Sequence, residues 1–283
     1  MTQPVADRLR TALAQLTPSE RQVGRALLAD YPRAGLQSSS DLAASADVSA
    51  PTVVRFARAL GFAGYRELQS ALVAELEHRA ASPITRYAET RSQPVGTGWF
   101  GTKLNDSIDS ISTSLRDLPE ANVEVAVDLL SDEKLRVHAR GGRFSNFLAQ
   151  YLLMHLHQVR RNVSAPSVPL TPGLAFTIDA GRHDLFVLYD VRRYQQSTTE
   201  LAQRLAERGS RVIVVTDPWL SPAANRADVV LPTSVGTSSA FDSLASAFVL
   251  TELLVNAVLQ RLGDDALQRI TAWDEASGYE TLP

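Results

Sequence analysis

Residues 40–60 read SDLAASADVSAPTVVRFARAL and predict two short helices joined by a tight turn. Leu42, Ala43 and Ala46 give the first helix a single apolar stripe. Asp47 falls where the chain must turn, and aspartate tolerates a left-handed backbone better than most residues that carry a side chain. The stretch therefore predicts a helix-turn-helix corner.

The second helix of this corner has a clear start and one buried face. Ser49 is predicted to cap it, and Pro51 lies in its first turn, where a missing N–H has no cost. Apolar residues recur at the spacing i, i+3, i+4 and i+7 that one helix face requires, namely Val53, Phe56, Ala57 and Leu60.

The opposite face of this helix is predicted to be basic. Thr52, Arg55 and Arg58 should point away from the apolar stripe, and no acidic residue occurs between Asp47 and Glu67. A helix of this kind can enter the major groove of DNA. The same pattern also fits a small helical bundle whose arginines are simply solvated.

Bulk composition limits the class of protein. A chain of 283 residues favours two domains, and the absence of cysteine excludes disulfides and thiolate metal sites. The first ten residues lack the apolar core of a signal peptide, and the most apolar later stretch, 244–258, is interrupted by Thr251, Glu252 and Asn256. We expect a cytoplasmic protein that does not contact a membrane.

Overall charge argues against non-specific coating of nucleic acid. The formal net charge is -3, and the first eighty residues hold nine arginines against eight acidic residues. Any affinity for DNA must then come from local placement of charge and from dimerisation, because affinity rises steeply with the number of phosphates neutralised. A homo-oligomer, either a dimer or a tetramer, is expected.

Helical patterns fill the first eighty residues. Thr17 to Glu20 read TPSE, a capping box that opens a helix over 18–30, while 5–16 and 65–79 are the other predicted helices outside the corner. We predict a DNA-binding domain at 1–80, a linker at 81–101, an effector-binding domain at 102–262 and a tail at 263–283.

From residue 102 onward helices and strands alternate, which predicts an α/β fold with a doubly wound parallel sheet. The predicted strands are 135–139, 161–164, 184–189, 211–216 and 229–231. The predicted helices are 104–115, 120–130, 145–158, 197–208 and 241–262.

Ligands of such sheets bind beyond the carboxyl ends of the strands, near the point where the strand order reverses. The loop after the first strand contains Gly141, Gly142 and Ser145, which can approach and hold a phosphate. Paired glycines are also what a tight strand-to-helix turn requires, so both interpretations remain open.

The loop 190–200 is the second candidate. Arg192 and Arg193 are either an anion clamp or surface charge. Ser197, Thr198 and Thr199 open the next helix, where their hydroxyls could reach a phosphate. For Ser197 a helix cap is the better interpretation, with Glu200 closing a capping box.

The corner and the residues after it read S-x-x-T-V-x-R-F-x-R-x-L-G-F-x-G-Y, from Ser49 to Tyr65. This pattern resembles the signature of the RpiR family of bacterial transcriptional regulators. The alternating half is similar to the sugar-isomerase (SIS) domain of that family in Gly141, Ser145 and Ala149 and in the strands DLFVLY and VIVVTD. The resemblance implies a homodimeric regulator whose second domain senses a phosphosugar or a related anionic carbohydrate derivative.

Two positions depart from the usual SIS pattern. Arg143 stands at the second glycine of G-x-G-x-S. The segment 190–199 stands where S-x-S-G-x-T is usual, and it has an aspartate at its start, two arginines and no glycine. An aspartate beside a bound phosphate would repel it unless Arg192 or Arg193 intervenes, so a different anion remains an alternative.

Three functions are compatible with the sequence. The first is a DNA-binding regulator that contacts its operator through Ser49, Pro51, Thr52, Arg55, Arg58 and Arg66. The second is a phosphosugar isomerase, and the third is a metabolite-binding dimer that does not bind DNA. Because the five histidines form no cluster and no catalytic motif occurs, we expect no catalytic residue, no metal and no cofactor.

Overall fold

The fold is that of a computed structural model, which describes residues 5–13, 15–80, 83–90, 98–165, 178–237 and 239–278. The chain divides into two compact units. One comprises Met1–Pro94 with Ser239–Phe241, and the other comprises Val95–Ser238 with Asp242–Pro283.

The first unit is helical. Its helices are α1 (Val5–Ala12), α2 (Pro18–Ala29), α3 (Arg33–Leu36), α4 (Ser39–Ser45), α5 (Ala50–Ala59), α6 (Tyr65–Ala80) and α7 (Pro83–Thr90). The predicted capping box of α2 is confirmed, since the Thr17 hydroxyl accepts from the Glu20 backbone and the Glu20 carboxylate accepts from the Thr17 backbone. An equivalent box, Ser38 with Asp41, begins α4.

The predicted apolar stripes of α4 and α5 form the core of this unit. Phe56 is fully buried among Val53, Leu42 and Leu27, with no exposed surface. The short helix α3 approaches α6 closely at Gly35, where an added Cβ would lie 2.3 Å from Leu72 Cδ1. The core thus depends on both size and shape at the helix contacts.

The second unit contains a parallel sheet between helices. Its elements are α8 (Trp99–Arg116), α9 (Glu120–Ser131), β1 (Arg136–Gly141), α10 (Asn146–Val159), β2 (Asp184–Asp190), α11 (Gln196–Glu207), β3 (Arg211–Thr216), β4 (Val229–Pro232), α12 (Ala245–Leu262) and α13 (Asp264–Ser277), with a 3-10 helix at Pro222–Arg226. The predicted α/β class is confirmed.

Strands lie in the order β1-β2-β3-β4, and all pairs are parallel. A predicted strand at 161–164 is reduced to a single parallel bridge, in which Val163 pairs with Val137 on the free side of β1. After β1 the chain pairs at Val163 on one side of this strand, and it then forms β2 on the other side. The reversal of strand order falls between β1 and β2.

Both faces of the sheet are covered. On one face, Leu185, Val187 and Tyr189 pack with residues of α9, α10 and α12. On the other face, Phe186 and Leu188 pack with residues of α11 and of the 3-10 helix. Strands buried on both faces explain why β2 and β3 are continuous apolar runs.

A buried arginine closes the end of α9. The Arg160 guanidinium has no exposed surface and donates to the carbonyl oxygens of Leu130, Asp132 and Leu135. These carbonyls end α9 and lead into β1, so a single planar group satisfies acceptors that would otherwise be buried without partners.

Helix α12 is long and apolar enough to cross a membrane by length and composition alone. Leu250, Leu254 and Val258 are buried in the core of the second unit, and the Thr251 hydroxyl lies 2.9 Å from that of the buried Tyr189. These contacts are those of a core helix in a folded domain.

Several boundaries differ from the sequence prediction. The long helix predicted over 241–262 begins at Ala245. The first helix ends at Ala12 rather than at residue 16, and the short α3 follows Pro32. The segment 81–101, predicted to be a linker, contains α7 and the start of α8. The predicted tail 263–283 contains α13, whose Ala266 is buried. These helices have weak periodicity or little length, so tertiary packing decides them.

We predict that Phe56→Ala destabilises the first unit by about 3–5 kcal/mol, because it leaves a cavity in a closed core. Hydrogen exchange of the full chain should show this loss in the amides of α2 and α5. The amides of β2 should exchange at the wild-type rate. Val73→Ala, at a position that is 43% exposed, is the matched control. It should change the free energy of opening measured by exchange by less than about 0.5 kcal/mol. Equal effects of the two substitutions would contradict the assignment of this core.

Candidate nucleic-acid interface and effector site

The turn between α4 and α5 has the predicted geometry. Asp47 adopts a left-handed conformation with φ 53°, and the Val48 N–H donates to the Ala43 carbonyl at 2.9 Å. This turn fixes the direction in which α5 leaves α4. The residues at its start, Ser49 and Pro51, are exposed.

The sequence predicted Thr52 on the exposed side of α5, and this prediction is wrong. Thr52 is only 4% exposed. Its hydroxyl accepts a hydrogen bond from Arg55 Nη2 at 3.1 Å and lies 2.9 Å from Ser49 Oγ. Ser49 stands at the N-cap position, but its side chain makes no capping bond. Thr52 therefore holds the side chains of Ser49 and Arg55 in place, while Arg55 itself is exposed.

The remaining candidate arginines lie in different surroundings. Arg58 is exposed and its Nε donates to the Ala63 carbonyl at 3.3 Å. Arg66 is exposed on α6, not on α5, and lines a 430 Å³ groove with Leu36 and Val73.

The basic side of α5 is not free of acidic neighbours. Glu20 of α2 has its pKa lowered, first by hydrogen bonds from Thr17 and then by the charge of Arg55. The sequence interval between Asp47 and Glu67 could not show this, because Glu20 is brought close by the packing of α2 on α5.

The loop after β1 is closed by its own hydrogen bonds. Ser145 is 5% exposed, and its hydroxyl accepts from the Gly142 N–H at 2.9 Å and donates to the Tyr189 carbonyl at 2.8 Å. The Gly141 N–H donates to Asn146 Oδ1 at 3.2 Å. Ser145 thus joins the end of β1 to the end of β2.

The helix that follows the loop after β2, α11, begins at Gln196, one residue earlier than predicted. Gln195 is the N-cap of α11 and makes no side-chain capping bond, so the predicted capping box of Ser197 with Glu200 is wrong. Glu200 instead accepts from Gln196 Nε2 at 2.9 Å. Ser197 is exposed, and Thr198 and Thr199 are half-buried.

The two arginines of this loop diverge. Arg192 is 7% exposed in a left-handed conformation with φ 67°, its Nε lies 3.0 Å from Asp242 Oδ1, and its guanidinium lies over the Trp219 ring. Arg193 is exposed. The two side chains therefore lie in different surroundings.

Two buried carboxylates at the ends of β2 and β3 were not among the predicted site residues. Asp217 accepts from the Arg192 N–H and the Tyr194 hydroxyl, each at 2.5 Å, and from the Trp219 N–H at 3.0 Å. Asp190 accepts from the Ser221 hydroxyl. Burial raises the pKa of both carboxyl groups, which their hydrogen-bond donors partly oppose.

A polar cluster around His138 was also not predicted from the sequence. His138 stacks on Phe186, its Nε2 lies 3.0 Å from Asp184 Oδ1, and its Nδ1 lies 2.9 Å from Ser164 Oγ. Ser164 also donates to the Val137 carbonyl. The group ties the bridge at Val163 to β1 and β2. Within the described residues, no three His, Asp or Glu side chains are placed to hold a metal ion.

Comparisons with known proteins agree with this division. The model of the helix-turn-helix domain of the rpiR family matches residues 4–79, and the SIS domain model matches residues 129–257. Together they cover well over half of the chain. The chain belongs to the RpiR family. It is a DNA-binding transcriptional regulator that carries a SIS domain.

Three relatives illustrate the likeness. The HTH-type transcriptional regulator HexR of Pseudomonas aeruginosa is 27% identical over 92% of this chain and 90% of its own length. The bifunctional protein glk of Paraburkholderia xenovorans is 30% identical over 81% of this chain, which spans 35% of that protein. The Vibrio vulnificus NanR protein complexed with ManNAc-6P has the same fold, with a TM-score of 0.55 at 18% identity over 96% of this chain and 97% of its own.

The two glycines of the first loop offer a matched test of its geometry. A Cβ at Gly141 would lie 2.4 Å from the Ser145 carbonyl carbon, whereas a Cβ at Gly142 would meet its nearest atom, Ser145 Oγ, at 3.6 Å. We predict that Gly141→Ala destabilises the second unit by about 1–3 kcal/mol, because the loop backbone must move. Gly142→Ala should cost much less. Urea unfolding followed by tryptophan fluorescence measures both, and equal losses would contradict the close approach at Gly141.

Proposed function

We propose that this regulator binds an operator as a homodimer through α5 and that its SIS domain senses a phosphosugar or a related anionic carbohydrate derivative. The observation that carries the DNA part is the exposed Arg55, held by the buried hydroxyl of Thr52 at 3.1 Å. An arginine held in place on the exposed side of a helix suits contact with a base edge.

The candidate contacts take different roles in this proposal. Arg55 and Arg58 lie exposed on α5 and reach base edges or phosphates, while Ser49 and Pro51 lie exposed at its start. Thr52 acts through Arg55 and Ser49 rather than through the DNA. Arg66, on a separate helix, contacts a phosphate and positions the domain on the duplex.

We predict that Arg55→Ala weakens binding to the operator at least tenfold, since one good arginine–base contact contributes about 1–3 kcal/mol of discrimination. The probe is a duplex selected from a random library by the wild-type protein, and mobility shift measures its binding. Arg33→Ala removes the same charge from an exposed site on α3 and serves as the matched control. It should retain most of the affinity.

Unchanged binding by Arg55→Ala would contradict the role of α5. Failure of the wild-type protein to select any duplex would instead favour a metabolite-binding dimer that does not bind DNA.

The effector is proposed to bind where the strand order reverses, between the loops after β1 and β2. Gly142 and Gln195 bring these loops together, since a Cβ on Gly142 would lie 3.8 Å from the Gln195 side chain. The proposed contacts are Gly141, Gly142, Ser145, Arg192, Arg193, Ser197, Thr198 and Thr199. The NanR complex with ManNAc-6P supports a sugar phosphate as the class to be screened first.

An apolar face on α10 and α12 supports the homodimer. Phe147, Met154 and Leu253 are about half exposed, and Phe248 lies between the rings of Phe147 and Tyr151. Regulators with one recognition helix per chain read two half-sites as symmetric dimers. A second copy of this chain is therefore the partner that the function requires.

We predict that Leu253→Asp shifts the protein from dimer to monomer at micromolar concentration, because the new carboxylate would be desolvated in the interface. Sedimentation equilibrium measures the change. Val125→Asp, at a site of similar exposure on α9, should leave the dimer intact. A monomeric wild-type protein would contradict the proposal, as would a Leu253→Asp variant that dimerises normally.

We propose a regulator without isomerase activity, located in the cytoplasm and not bound to a membrane. Isomerisation requires a base aimed at a carbon acid. Among the described residues that could serve, His138 is engaged by Asp184 and Ser164, and Glu200 accepts from Gln196. Turnover of sugar phosphates by the purified protein would overturn this part of the proposal.

A further inference from the structure

Arg192 is a nearly buried cation that is held at both its backbone and its guanidinium. Its backbone lies in the left-handed region with φ 67°, and its N–H donates to Asp217 at 2.5 Å. Its guanidinium carbon lies 5.1 Å from the centre of the Trp219 ring, and its Nε lies 3.0 Å from Asp242 Oδ1. Asp242 therefore supplies negative charge to a guanidinium that has little contact with water.

The two members of this ion pair come from different loops at one edge of the sheet. Arg192 lies two residues after β2, which ends at Asp190, and Asp242 lies in the segment between β4 and α12. Because β2 and β4 belong to one parallel sheet, both loops lie beyond the carboxyl ends of strands. The ion pair thus lies at the edge where ligands of such sheets bind.

The two side chains differ in their exposure to water. The side chain of Arg192 is 6% exposed, whereas that of Asp242 is 33% exposed. A cation buried this deeply needs an anionic partner, since a buried charge left unpaired is strongly destabilising. A carboxylate that is a third exposed loses less on leaving its partner, because water can solvate it. An exchange of partners would therefore keep Arg192 in place and release Asp242.

The neighbouring Asp217 prevents an anion from simply adding to this pair. Asp217 has no exposed surface, lies close to the charge of Arg192, and already accepts three hydrogen bonds within the unit. With Asp242 in place, Arg192 faces two carboxylates, and the charge of the exposed Arg193 is screened by water. A further anion would meet more negative than positive charge in a region where like charges repel strongly. It can bind at Arg192 only by replacing Asp242.

We infer that Asp242 is an internal competitor of the effector: its carboxylate pairs with Arg192 in the effector-free protein, and the anionic group of the effector takes its place. This inference rests on the proposed effector function. The bond to Asp217 keeps the backbone of Arg192 fixed, so the exchange changes the partner of the guanidinium alone. Release of Asp242 loosens the segment before α12, in which the Ser243 N–H donates to the Val235 carbonyl at 3.2 Å.

The experiment measures the affinity of the full-length protein for inorganic phosphate at pH 7.5 by calorimetry. The apparent affinity of a site falls with the fraction of molecules in which the site is free. Asp242→Asn removes the competing charge and keeps the size of the side chain, so it should bind phosphate at least fivefold more tightly than the wild type. Adding Arg192→Gln should abolish the gain. This double variant removes both charges together and leaves neither member of the pair without its partner.

The matched control is Asp228→Asn. The Asp228 carboxylate is also paired with an arginine, at 2.7 Å from Arg211 Nη1, and its side chain is 28% exposed. It lies next to the amino ends of β3 and β4, at the opposite edge of the sheet. This substitution removes the same charge, but phosphate affinity should stay within twofold of the wild type. A gain equal to that of Asp242→Asn would mean that net charge alone is responsible and would overturn the inference.

Two further results would also overturn it. One is an Asp242→Asn variant that is folded by circular dichroism but binds phosphate no more tightly, and the other is a gain that persists when Arg192→Gln is added. If either variant is unfolded, hydrogen exchange of the wild-type protein decides. Saturating phosphate should speed exchange of the Ser243 amide at least threefold, because the released segment opens more often. Unchanged or slower exchange at Ser243 would contradict the competition.

Failure of the proposed function gives a different pattern. In that case sugar phosphates change the DNA binding of neither the wild type nor Asp242→Asn. Phosphate affinity and exchange at Ser243 still report the competition at Arg192 directly. If both the function and the inference hold, Asp242→Asn should respond to sugar phosphates at a concentration at least fivefold lower than the wild type.

Discussion

Parallel pairing of β1 with β2 is the constraint on which the second unit depends. Its register places Gly141 opposite Tyr189, so both loops that follow these strands begin at the same edge of the sheet. The Ser145 hydroxyl strengthens the junction by donating to the Tyr189 carbonyl. The chain pairs at Val163 on the free side of β1 before it forms β2 on the other side, so the strand order reverses between β1 and β2, where a ligand can enter between the loops.

Buried polar groups do much of the positioning in both units. Arg160 satisfies the carbonyls that end α9, Asp217 holds the loop after β2, and Thr52 orders the start of α5. Each group is paired with backbone or side-chain partners, as the cost of desolvation requires. The two candidate binding surfaces are therefore shaped by polar contacts, whereas the apolar cores fix only the elements that carry them.

Local signals made much of the fold predictable. The left-handed Asp47, the capping box of Thr17 with Glu20 and the apolar runs of β2 and β3 depend on neighbours in sequence. The helices α7 and α13 were missed for different reasons: α7 is only eight residues long, and α13 has a weak apolar stripe whose buried residue is Ala266.

The candidate sites were less predictable than the elements that carry them. Gly141, Gly142 and Ser145 could be placed at the end of β1 because a strand followed by glycines implies a turn there. The pairing of Asp190 with Ser221 could not, since these residues lie 31 positions apart and meet only through the order of the strands. Thr52 was misplaced for a different reason. The apolar pattern did not include Thr52, but this residue lies four positions before the buried Phe56 and therefore on the same face of α5.

The bond from Arg55 to Thr52 has a consequence for how faithfully one sequence is distinguished from another. Immobilising a long side chain on association costs about 0.5–1.5 kcal/mol, and an arginine that is already tethered has lost part of that freedom in the unbound protein. A tethered guanidinium also cannot swing to whichever base happens to be adjacent. In the proposed operator contact, the threonine would thus trade adaptability for fidelity, because it restricts the side chain that would otherwise be most permissive.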